Sequence, residues 1–100
     1  MRIEQDISIT LPVNEWVVLL AAIEPFCVRA GMELKGMIAE NRNPFADLTN
    51  LDSLIIAGPL IARAVIVKEL IRHGHIIPDG ITVRGTDKIL ELFRKHRESH

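Results

Sequence analysis

The chain has 100 residues, 48% of them apolar and 25% charged, with 12 basic against 13 acidic side chains and a formal charge of −1. That apolar share excludes wholesale disorder, the length leaves room for one domain over residues 1–100, and the charge balance lacks the basic excess usual in nucleic-acid binders. A single cysteine, Cys27, excludes an internal disulfide framework and fits a reducing compartment.

Met1-Arg2-Ile3-Glu4-Gln5-Asp6 carries acidic residues where an export signal has an apolar core, so a cytoplasmic chain is expected. Residues 3–11 alternate, with Ile3, Ile7, Ile9 and Leu11 on one parity and Glu4, Asp6, Ser8 and Thr10 on the other, which predicts a half-buried strand. Pro12 ends it and suits the first turn of a helix. Residues 16–23 (WVVLLAAI) are apolar throughout, two helical turns with no polar side. Pro25 disfavours helical geometry at Glu24 and predicts a kink or an end there. Over residues 26–40 a helical stripe resumes, with Cys27, Ala30, Leu34, Met37 and Ile38 on one side. Asn41-Arg42-Asn43-Pro44 breaks it.

Asp47, Thr49 and Asn50 are candidate caps for the next element. Residues 51–57 suit either a helical turn or two or a short strand. Gly58-Pro59 marks a kink or a new start, and residues 60–73 read as a helix that is apolar nearly all round in its first half. Gly74 ends it, with Arg72 and His73 in the last turn where the helix dipole favours positive charge. Pro78-Asp79-Gly80 lies between two β-branched runs and predicts a short hairpin, or at least a strand at 81–84. Thr86 is expected to cap a final helix whose buried stripe is Ile89, Leu92, Phe93 and His96. The expected fold is therefore α+β and predominantly α: an N-terminal strand, three to four helices, a short hairpin or strand near 76–84, and a C-terminal helix. Neither apolar stretch, 16–23 or 54–67, reaches the roughly 20 apolar residues of a bilayer span, so no membrane partner is expected.

Those two stretches pose the main physical problem. A helix apolar on all sides has to be covered on all sides, and a chain of this size buries only about 60–70% of its unfolded surface. Leaving four large side chains uncovered forgoes about 1.5–3 kcal/mol each, against a total stability of roughly 5–15 kcal/mol. The sequence therefore predicts a homodimer or higher self-assembly, with Trp16, Val17, Leu20, Ile61 and Val65 as candidate interface residues.

Chemistry-bearing clusters are sparse. His73 and His75, with Asp79 nearby and Cys27 distant, fall short of a built three-ligand metal site, and His96 and His100 lie at the chain end. Solvated histidines are the favoured reading and no metal or other cofactor is expected. Arg84-Gly85-Thr86-Asp87-Lys88 opens the last helix, where free N–H groups suit an anion, although Asp87 opposes one. Arg72, His73, His75, Arg84 and Lys88 are the candidate ligand- or partner-binding residues. The run Arg94-Lys95-His96-Arg97 reads as a dipole-matched helix end. A nucleophile elbow, a His-Glu-x-x-His pair, a Cys-x-x-Cys pair and a phosphate loop are all missing. Ser8, Ser53 and Ser99 have no evident base and Cys27 sits on an apolar face, so a non-enzyme is expected.

The stretch Ile7-Ser-Ile-Thr-Leu-Pro-Val-Asn-Glu-Trp-Val-Val-Leu-Leu-Ala-Ala-Ile resembles the opening of short accessory proteins encoded by phages and prophages. The resemblance covers residues 7–23 and implies a small oligomerising protein without catalytic residues that inhibits a host factor or defence system by binding. The order strand, Leu11-Pro12, helix, Gly31, helix is also similar to ribbon-helix-helix DNA-binding domains. There the outward strand positions read bases; here they are Glu4, Asp6, Ser8 and Thr10, and the carboxylates repel phosphates. The leading expectation is a non-enzymatic module that self-associates and binds another protein. A DNA-binding regulator and a small anionic-ligand (nucleotide) binder are the alternatives.

Overall fold

Three helices account for the regular structure: α1 (Val13–Ala39), α2 (Leu51–Arg72) and α3 (Thr86–Glu98). The structure, a computed structural model, describes residues 8–46 and 49–98, with side chains in α3 as far as Arg94. Among the described residues there is no strand, so the expected α+β fold is corrected to an all-α one. Residues 3–7 of the expected N-terminal strand lie outside the described residues, and residues 8–12 run into α1 without a ladder, Ile9 being exposed. Alternation needs a neighbouring strand to become a sheet, and the described chain offers none.

The expected hairpin fails for a related reason. Its turn forms as read: the Ile81 N–H donates to the Pro78 carbonyl at 3.3 Å, and Gly80 takes φ +92°. The flanking segments are too short to pair, and their apolar residues have a better use. Ile77 and Ile81 pack against Leu20, Val67 and Leu70 of the helices, while Ile76 stands 92% exposed. The loop is pinned onto the helices by two isoleucines instead of closing on itself.

Both internal prolines sit inside continuous helices, Pro25 in α1 and Pro59 in α2. Of the two outcomes expected at Pro25, a kink or an end, the end does not occur, because packing keeps the helix continuous. Leu20 and Ile23 before it, and Cys27 and Ala30 after it, turn to the core, so ending the helix would uncover one set or the other. The missing proline N–H groups release the carbonyls of Ala21 and Ile55, both exposed residues whose backbone water can reach. The division at Gly31 that the ribbon-helix-helix resemblance implies is likewise absent, α1 running unbroken through it. Residues 51–57 resolve as the first turns of α2.

The ends of the helices follow local chemistry. The Asn50 side chain accepts the Asp52 N–H at 2.8 Å and caps α2. Asn50→Ala should cost about 1 kcal/mol in urea denaturation; an unchanged midpoint would remove the cap as a determinant. At the other end the His75 N–H donates to the Leu70 carbonyl and the Gly74 N–H to that of Ile71, both at 2.9 Å, with Gly74 at φ +80°. This paired closure needs a left-handed residue just past the cap. Asn41, at φ +59°, does the same for α1, with Arg42 bonded to Met37 and Asn41 to Ile38. At α3 the Gly85 carbonyl accepts from Ile89, so Gly85 takes the cap position expected of Thr86.

α2 lies in the middle, packed against α1 and against α3, which do not pack on each other among the described residues. The main core joins Cys27 and Ala30 of α1, Phe45 of the connecting loop, Ala57, Leu60 and Ala64 of α2, and Ile89 and Leu90 of α3. A smaller cluster joins Leu20 to Val67 and Leu70. Small residues at the α1–α2 crossing let the backbones approach, and the Cys27 thiol donates to the Pro59 carbonyl at 3.1 Å. The Cα atoms span 37 × 31 × 20 Å. Twenty ångströms is about two helix diameters, so each helix keeps a face at the surface.

Candidate functional site

Of the five basic candidates, two share one acidic partner. Arg72 and His73, in the last turn of α2 and its cap, both turn to Glu69 one turn back. Arg72 Nε donates to Glu69 Oε2 at 3.2 Å, Arg72 Nη2 donates to Oε1, and His73 Nε2 lies 3.2 Å from Oε1. The hydrogen bonds from Arg72 hold the Glu69 carboxyl below its usual range and raise Arg72 above its own. The pair is fully ionised at neutral pH and weakens only as pH falls through the lowered Glu69 value.

Beside it an open groove of about 960 Å³ runs between the end of α2 and α3. Its charged lining is Lys68, Arg72 and Arg94 against Glu69, Asp87 and Glu91, three of each sign, with Ile71 and Leu90 between them. Lys68 Nζ lies 2.7 Å from Asp87 Oδ1. Of the five candidates only Arg72 lines this groove; His75, Arg84 and Lys88 are exposed outside it. A balanced lining gives an anion no net attraction, and Asp87 holds the first turn of α3 where a phosphate would bind. Among the described residues no group of three or more His, Cys, Asp or Glu is placed to hold a metal. His96 and His100 lie outside the described side chains.

A buried polar cluster escaped the sequence reading. Arg63, alone among apolar neighbours in α2, is 9% exposed, and its Nη1 lies 3.2 and 3.3 Å from the two carboxylate oxygens of Glu24 in α1. The Thr82 hydroxyl donates to Glu24 Oε1 at 3.2 Å, so the loop after α2 joins the same carboxylate. Arg63 Nε is buried without a partner among the described residues. Burial pushes the neighbouring Cys27 thiol up; Arg63 pulls it back and Glu24 adds to the rise. A buried, protonated thiol is a packing group rather than a nucleophile. The cluster ties α1, α2 and the 75–85 loop together. The signal was available: one arginine in an apolar run has to find a carboxylate, and Glu24 is the acid on the core side of α1.

The expected interface residues are mostly used within the chain. Leu20 is wholly buried, Trp16 and Val17 pack half-buried against its cluster, and Ile61 packs half-buried against the main core. Only Val65, 50% exposed, faces outward. The uncovered apolar surface lies on the opposite faces. On α1, Val18, Phe26 and Met32 are 65%, 64% and 72% exposed, with Val28 beside them. On α2, Leu51, Ile55 and Val65 line the outer side. Apolar patches of this kind mark interaction surfaces when they are contiguous.

No protein-family model matches the chain, and no curated protein or solved structure matches it closely enough to bear on its function. Among the described residues no helix is long and apolar enough to cross a membrane.

Proposed function

We propose that this chain is a small non-enzymatic protein-binding module that associates with its own copies and works through protein contacts in the cytoplasm. One observation carries the reading: α1 and α2 keep apolar outer faces, with Val18, Phe26 and Met32 on one and Leu51, Ile55 and Val65 on the other, after their inner faces have filled the core. Leaving such side chains in water forgoes about 1.5–3 kcal/mol each when they would otherwise be fully buried, so association is the direction in which free energy falls. The buried Cys27, the charge-balanced groove and the structural role of the Glu24–Arg63 pair support contact rather than catalysis. The likeness of residues 7–23 to phage accessory proteins directs the proposal to a host protein as the further partner, inhibited by occupation of its surface.

Size-exclusion chromatography with light scattering at micromolar protein tests the first part. The expected mass is at least twice 11.2 kDa. A clean single-chain mass at the highest soluble concentration would overturn the reading.

A further inference from the structure

The outer face of α1 is complementary to itself, and we propose that a second copy of this chain covers it, the two α1 helices lying antiparallel about a twofold axis at Pro25. This rests on the self-association proposed above and adds the surface and the register. At 100° per residue Val18, Ala22, Pro25, Arg29 and Met32 fall within an arc of about 80°, and all five are exposed. The stripe runs about 21 Å from Val18 to Met32 at 1.5 Å per residue. It has a large apolar side chain at each end and small residues near its middle. In an antiparallel pair centred on residue 25, Val18 of each copy lies across from Met32 of the other, and the large ends cover one another.

Arg29 points to a second copy rather than to an unrelated partner. It is the one charge within the stripe, and no carboxylate pairs with it among the described residues. Pro25 supplies no N–H, so the i to i+4 hydrogen bond to the carbonyl of exposed Ala21 is missing. The register that pairs Val18 with Met32 also sets Arg29 of each copy across from Ala21 of the other. A cationic donor then faces a carbonyl that lacks its usual i+4 donor, and symmetry repeats the match. The arginine stem lies over the small alanines and covers apolar surface on the way.

The test uses Val18→Cys and Met32→Cys chains, mixed in equal amounts at micromolar concentration and oxidised. Native Cys27 is retained, since it is buried with its thiol pushed up, and the wild-type chain is the control. The expected result is a disulfide-linked heterodimer several-fold more abundant in the mixture than any homodimer from either variant alone. Identical positions would stand about 21 Å apart, beyond the roughly 7 Å Cα limit for a disulfide. Light scattering before oxidation separates the failures. An oligomer that gives no mixed disulfide overturns the antiparallel register and leaves self-association standing, whereas a monomer overturns both. Arg29→Glu, at an exposed position, is expected to weaken the dimer Kd at least tenfold; an unchanged Kd overturns the Arg29–Ala21 contact.

Discussion

A Glu24→Ala chain is expected to lose about 3–5 kcal/mol of folding stability, a large part of what a domain of this size possesses. The carboxylate is 15% exposed and the Arg63 side chain 10%, so the substitution strands a guanidinium away from water with no other acid bonded to it among the described residues. It also deprives the Thr82 hydroxyl of its acceptor and loosens the loop after α2. The comparison that isolates the mechanism is the double variant Glu24→Leu with Arg63→Met. Two apolar side chains of similar volume remove the desolvated charges together and should restore most of the loss, or exceed wild type, because a buried ion pair is seldom more stabilising than well-packed apolar residues. Urea denaturation of the three chains decides it. A single variant within about 1 kcal/mol of wild type would mean that water reaches Arg63 freely, and a double variant as unstable as the single one would mean that packing, not charge, is what Glu24 provides.

The contrast between what could be read from the residues and what could not follows the range of the forces involved. Helix ends were legible because their determinants lie within a few residues: Asn50 accepts from Asp52, and Gly74 closes α2 through bonds to Leu70 and Ile71. The Pro78–Gly80 turn was legible for the same reason. What failed depended on partners far along the chain. The β-branched runs on either side of Pro78-Asp79-Gly80 suggested strands, but Leu20, 57 residues before Ile77, decides where Ile77 goes. Pro25 should kink or stop a helix by its own stereochemistry, yet the helix runs on because Cys27 and Ala30 beyond it are needed against Ala57 and Leu60. The surplus of apolar helix surface was visible as a whole; which side is left over was not. Trp16, Val17 and Leu20 occupy one face of α1 and Val18 the other, and nothing within 16–23 tells α2 which to cover. The Glu24–Arg63 pair, 39 residues apart, is the same kind of information: each residue announces a need, and only the packed structure shows that they meet. For Arg72 and His73 the missing information was nearer: Glu69, one turn before His73, pairs with both.

Phe45→Ala is expected to cost about 3–5 kcal/mol, while Phe26→Ala changes the stability of the isolated chain by no more than about 0.5 kcal/mol. The two aromatics look alike in the sequence, each beside a proline, and their environments separate them. Phe45 is 2% exposed. Its N–H donates to the Asn43 side chain at 2.9 Å, and the Ala46 N–H donates to the Asn43 carbonyl, so a tight turn drives the ring inward. Of the seven other buried residues in its core, Leu60, Ile89 and Leu90 are large, but Cys27, Ala30, Ala57 and Ala64 are too short to close over the space a ring leaves. The cavity therefore persists, and cavity volume adds to the lost transfer free energy. Phe26 turns to the uncovered side of α1, where truncation opens no cavity within one copy. Under the proposed self-association, thermal denaturation should show a Phe26→Ala deficit that grows with protein concentration, while the Phe45→Ala deficit persists down to the lowest concentrations measured. Equal losses for both variants at high dilution would mean that α1 presents a different face to the core, and the outer stripe, the proposed partner and the inner packing would all have to be redrawn together.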